Sequence, residues 1–189
     1  MTIAVLDALE MQLKDPTLLD QIGSLGVSLV QKNIETGPWV PNSPLSQDYK
    51  GNSKPLRDTG GLLNSIAHQV GSGVVFIGSN HIAARILHDG GTITPKRTRF
   101  LAVPLGAETR RFMRMYGHTP RSCIEGMKAA GYKIWVAKGV ILAQKGKQGR
   151  VRALFVLKTS IRIPSRPFLR LPERSVRIIE QAVMRRLTS

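Results

Sequence analysis

The chain has 189 residues, 42% of them hydrophobic, which suits one domain with an insertion and excludes global disorder. No apolar run nears the ~20 residues of a bilayer span, and Met1 to Met11 lacks the basic start and cleavage site of a secretory signal. The net charge of +16 is uneven: residues 1–60 hold five Lys/Arg against seven Asp/Glu, and residues 61–189 hold 23 against five.

In chain order, residues 1–14 carry weak helical periodicity. Asp15-Pro16 then predicts a helix start, with Asp as N-cap and Pro at the first helical position. Leu19, Ile22, Leu25 or Gly26, Leu29 and Ile34 follow at helical spacing, and Gly37-Pro38 predicts the stop. Residues 37–55, rich in Pro, Ser, Asn, Gly and Lys, read as an extended loop pinned to the core by Trp39. A short capped helix follows within Leu56 to Ile66, then a hairpin of 66–70 and 73–78 around Gly71-Ser72-Gly73. Ile82 to His88 predicts a short helix stopped by Asp89-Gly90-Gly91. Ile93 to Pro95 and Phe100 to Val103 predict a strand pair joined by the basic run Lys96-Arg97-Thr98-Arg99.

Helices are expected at Glu108 to Tyr116 and Pro120 to Ala130, and strands at Tyr132–Ala137, Val140–Gln144, Val151–Leu157 and near Ser160–Ile163. A last helix from near Pro172 would turn Val176, Ile179, Val183 and Leu187 inward. Helices that alternate irregularly with hairpin-spaced strands predict an α+β fold: a mainly antiparallel sheet with a long N-terminal and a C-terminal helix packed on it. The expected organisation is one domain over 1–189, elaborated by the 37–55 loop and by a helical and β-hairpin insertion at about 105–158.

Catalytic and metal-binding patterns are scarce. His68, His81, His88 and His118 have no cysteine pair to complete a zinc set. Acidic residues after position 60 show no paired spacing for acid–base or two-metal chemistry. No nucleophile elbow, dinucleotide fingerprint or phosphate-binding loop occurs. The lone Cys123 excludes an intrachain disulfide, fits a reducing cytoplasm and reads as a small core residue. The expectation is a protein with no cofactor and no enzymatic activity.

Charge points to a partner instead. Basic clusters stand at Lys96-Arg97-Arg99, at Arg110-Arg111-Arg114, which share a helix face, and at Lys145, Lys147, Arg150 and Arg152 around a hairpin loop. Each suits phosphate or carboxylate contact without base readout. The loop over 145–150 is either a solvated turn or an arm that reaches a neighbour. No helix-turn-helix, zinc finger or RNA-binding aromatic motif is present.

Four segments in order resemble the Mu-like virion morphogenesis family, the phage tail completion proteins. They are Gly37-Pro38-Trp39 with its polar loop; Lys54-Pro55-Leu56-Arg57-Asp58-Thr59-Gly60-Gly61-Leu62-Leu63-Asn64-Ser65-Ile66; Ile82 to Gly91 with Ile93, Pro95, Leu101 and Pro104; and Ile163-Pro164-Ser165-Arg166-Pro167-Phe168-Leu169. The chain departs from the family at Arg170, where a glycine is common, and at Ala83-Ala84, where a tyrosine is usual. The resemblance implies a structural neck protein of a tailed bacteriophage, made in the host cytoplasm and built into the virion.

Its implied partners are copies of itself in a ring, with a hexamer as the candidate size, tail tube or terminator proteins, head-completion proteins, and DNA passing through the neck. No membrane is involved. Trp39, Arg166, Pro167, Phe168 and Leu169 are candidate subunit-interface residues; the alternative is that the last four anchor the final helix to the core. A dense positive lining would hinder sliding DNA, so most arginines are expected to face partner proteins. The rival reading is a strongly basic, non-specific DNA-binding protein.

Overall fold

Asp15 and Pro16 start the longest helix: the Asp15 carboxylate accepts the Thr17 N–H at 3.0 Å, and Pro16 needs no intrahelical donor. The computed structural model describes residues 15–188; the periodicity expected over 1–14 and the inward Leu187 side chain lie outside the described residues. The elements run α1 (Pro16–Thr36), α2 (Pro44–Lys50), α3 (Gly61–Asn64), β1 (Ile66–Val70), β2 (Val75–Ser79), α4 (Ala84–Asp89), β3 (Gly91–Ile93) and β4 (Leu101–Pro104). They continue as α5 (Gly106–Tyr116), α6 (Pro120–Ala129), β5 (Tyr132–Ala137), β6 (Val140–Lys145), β7 (Arg152–Lys158), β8 (Ile161–Ile163) and α7 (Glu173–Thr188). Every strand pair is antiparallel, so the fold is α+β. Among the described residues no helix is long and apolar enough to cross a membrane.

Contacts divide the chain into two compact units. The first draws on Met1–Trp39, Thr59–Gly90 and Ser165–Ser189. In it α1 packs on the β1–β2 hairpin, whose register runs from Ile66↔Ser79 to Val70↔Val75. The buried face of α1 is Leu18, Leu19, Gly23, Gly26, Leu29, Val30 and Ile34. Two of these are glycines, and hairpin side chains fill the space above them. A Cβ on Gly23 would overlap the His68 ring, and one on Gly26 would overlap Ile77 Cδ1.

Trp39 closes the C-terminal end of α1: its indole N–H reaches the Ile34 carbonyl (3.2 Å) and the Asn33 carbonyl (3.1 Å), the latter also accepting the Gly37 N–H. The C-terminal α7 packs along α1. Its inward face differs from the expected one. Val176 points out at 42% exposure, and Ser175 takes the buried place while Ile179 and Val183 are half-buried. A small residue at the buried position lets the helix approach closely, which apolar spacing alone does not reveal.

The second unit comprises Val40–Asp58 and Gly91–Pro164, and so contains the whole elaboration expected at 105–158. The expected extended loop at 37–55 contains α2, with Ser43 as N-cap, Pro44 in the first turn and Gly51 (φ 75°) as left-handed stop. A four-stranded sheet in the order β4-β7-β6-β5 forms its frame, with β5 and β6 joined through Lys138 (φ 49°) and Gly139 (φ 74°), the two left-handed positions that a tight hairpin requires.

The expected pairing of Ile93–Pro95 with Phe100–Val103 is corrected. β3 pairs with β8 and β4 pairs with β7. The run between them has no glycine or asparagine to close a tight turn, and non-local partners take both strands. α5 and α6 supply Phe112, Met113, Cys123, Ile124 and Met127 to a core shared with Ile141, Ala143, Leu154 and Phe155 of the sheet. α6 opens with a reciprocal cap between Thr119 and Ser122. The buried Thr109 hydroxyl is shared between the Leu105 carbonyl and the Leu154 carbonyl, the latter at 2.9 Å.

The two helices touch at Gly126, where a Cβ would strike the Tyr116 carbonyl, a backbone atom that cannot rotate away. Helix propensity alone would favour Gly126→Ala by about 1 kcal/mol. Overpacking reverses the sign, so this variant should lose about 1–3 kcal/mol of unfolding free energy in urea. Lys128→Ala, exposed on the same helix, should stay within about 0.5 kcal/mol of the parent.

Candidate functional site

The segment Ser165 to Arg170 is built into the first unit rather than displayed on it. The Arg166 N–H donates to the carbonyls of Leu87 and His88, both at 3.1 Å, at the end of α4. Ser165 Oγ donates to the same His88 carbonyl at 2.9 Å. Phe168 is fully buried, and the His88 ring meets it edge-on with centroids 5.3 Å apart. Asn33 Nδ2 of α1 donates to the Phe168 carbonyl (3.0 Å) and the Arg170 carbonyl (3.1 Å). Arg166 is 4% exposed, and burial pushes its guanidinium pKa below the ordinary value.

Of the expected interface residues Trp39, Arg166, Pro167, Phe168 and Leu169, two are buried within their own unit and three keep part of their surface. Arg166 and Phe168 face the interior of their own unit, Pro167 and Leu169 are half-buried, and half-buried Trp39 finishes α1. Arg166 and Phe168, surrounded by their own unit, have almost no surface left for a neighbour.

The basic candidates fall into two groups, all in the second unit. Arg110 is mostly buried (16% exposed): it donates to the Asp58 carboxylate at 2.5 Å and the Lys50 carbonyl at 2.7 Å, and lies 5.5 Å from the Tyr49 ring centroid. Arg152 donates to Glu108 at 3.0 Å and covers the Phe112 ring, while the Lys145 ammonium sits over Tyr132. These three are tied to their own unit. Arg111, Arg114, Lys147 and Arg150 are exposed. Gln144 orders the loop that carries the last two by donating to the Gly149 carbonyl at 2.7 Å.

Arg110, Arg111 and Arg114 come together, as their spacing implied, on one wall of an open cleft of about 340 Å³. The opposite wall is Tyr49, Lys50 and Asp58. Reading 37–55 as a loop hid this wall; the Ser43-Pro44 cap and Gly51 were the signals for it. A second, apolar groove of about 770 Å³ runs between β4 and α6, lined by Phe100, Leu101, Val103, Pro120, Ile124 and Ile161.

Other reactive groups are dispersed. His68 meets Asp20 at 2.9 Å and His88 meets Asp89 at 2.8 Å. Cys123 is fully buried, and desolvation pushes its thiol pKa up. A hydrogen bond with Tyr132 and then burial raise the pKa of the Tyr116 hydroxyl. Among the described residues no group of three or more His, Cys, Asp or Glu could hold a metal ion. Comparison with family models, with curated proteins and with solved structures gives no match.

Two outcomes separate structural from displayed residues. Phe168→Ala should cost about 3–5 kcal/mol in urea denaturation, whereas Arg111→Ala with Arg114→Ala should change stability by no more than about 0.5 kcal/mol each. Cys123 should resist a thiol-labelling disulfide reagent in the native protein and react with it once urea unfolds the second unit.

Proposed function

We propose that the chain is a structural subunit of a tailed-phage virion, which completes the tail and joins it to the head as a member of a neck ring. The support is the ordered set of four segments that resemble the tail completion proteins, together with what those residues do. One observation carries most weight: segments far apart in sequence meet as backbone partners. Leu87 and His88 of the third segment receive the Arg166 N–H of the fourth. Phe168 of the fourth packs on that same His88, and its carbonyl is held by Asn33, just before the first.

Residues used this way give a subunit its shape. The signature of an enzyme is different: polar groups that converge on a cleft with partners left for substrate. Here several of the residues that carry the resemblance, among them Leu62, Ile66, Ala84, Arg166 and Phe168, are spent on packing and backbone hydrogen bonds. The surface offered to partners includes the exposed arginines and the apolar groove.

The test is to delete the coding sequence and image the lysate by electron microscopy. Separate DNA-filled heads and tails of finished length are expected, with joined particles restored by a copy supplied in trans. Normal joined, infectious particles without the chain would refute the reading.

A further inference from the structure

The charge of this protein is divided by the fold more sharply than by the sequence. The second unit holds nineteen Lys/Arg against four Asp/Glu (Asp48, Asp58, Glu108 and Glu125), a net +15. The first unit holds nine against eight, a net +1. We infer that the second unit binds the phosphate backbone of duplex nucleic acid without reading its sequence, with Arg111 and Arg114 at the Lys50–Arg110 cleft as a principal contact.

Three observations converge on a phosphate polymer. First, internal pairing consumes most of the unit's acids: Asp58 is held by Arg110, Glu108 by Arg152 and Glu125 by Arg121. The remaining cations have little to neutralise them within the unit, and a duplex presents a negative charge about every 1.7 Å. Second, the cleft gathers cations: Lys50, Arg110, Arg111 and Arg114 line it against the single acid Asp58. Arg110 is fixed by Asp58 and the Lys50 carbonyl, which leaves the adjacent Arg111 and Arg114 forks exposed beside a concave wall. Neither Arg111 nor Arg114 has an ion pair among the described residues.

Third, the unit's ring cluster is occupied internally. Phe112, Tyr116 and Tyr132 pack on one another at centroid distances of 5.8–6.0 Å. They form no stacking platform for single-stranded bases. Sequence alone favoured acidic proteins as partners for most of these arginines; concentration of the charge on one unit moves the choice to nucleic acid. The inference stands whether or not the chain is a neck subunit, and either can fail alone.

The test measures binding of the full chain to a labelled random-sequence duplex by fluorescence anisotropy across a salt series. The parent should bind with an affinity that falls steeply with salt and differs little between duplex sequences. Arg111→Ala with Arg114→Ala should flatten the log–log salt slope by about 2 and weaken binding roughly 10- to 100-fold at 0.1 M salt. Arg170→Ala with Arg174→Ala, which removes equal charge from the first unit, should leave slope and affinity nearly unchanged. Equal losses in the two double variants, or no duplex binding by the parent at 50 mM salt, would overturn the inference. So would polyglutamate binding as tightly as the duplex with the same dependence on Arg111 and Arg114, which assigns the surface to an acidic protein.

Discussion

The first unit depends on one return of the chain. Residues 165–170 come back to α1 and α4 and place Phe168 at full burial between them, with the Arg166 N–H and the Phe168 carbonyl both paired. Burying a phenylalanine contributes about 1.5–3 kcal/mol, and each hydrogen bond about 1 kcal/mol net. The larger effect is cooperative. Three stretches separated by up to 137 residues are ordered together, so loss of the anchor frees the α1 end, the α4 end and the approach to α7 at once. The two prolines at 164 and 167 restrict that approach before it docks.

The second unit solves a different problem. It must fold while carrying most of the chain's net charge, and like charges oppose compaction. Its sheet and two helices supply an apolar core of ordinary kind around Phe155, Leu154 and Met127. The few acids are placed where a cation must be held still: Asp58 on Arg110, Glu108 on Arg152. Because the carboxylate of each pair stays partly exposed, each is worth on the order of 1 kcal/mol. Their main effect is to choose which arginines stay inside and which remain available.

Much of the fold was legible in local sequence. Asp15-Pro16, Thr119-Pro120 and Gly90 act through short-range sterics and caps, and the helices and hairpins around them fall where those rules put them. Pairing across distance was not legible: nothing local to Ile93 says that Ile161 is its partner. Neither was α2, because seven helical residues between prolines and serines look like loop unless Ser43 and Gly51 are read as caps. For the site, spacing placed Arg110, Arg111 and Arg114 on one face, but not the fact that Arg110 is held by Asp58 from 52 positions away. The Arg-Pro-Phe-Leu segment stood out in sequence for a reason that sequence left open, and burial assigns Arg166 and Phe168 to the interior of their unit.

Both the clustered charge and the structural use of the resemblance segments suit a chain that supplies form and adhesive surface to a larger particle. The most direct measurement is quantitative mass spectrometry of purified, nuclease-treated virions. A neck subunit should be present at a small fixed copy number, the same from one preparation to the next, and should stay with joined heads and tails. Infectious virions that lack the chain would contradict a structural role in the particle.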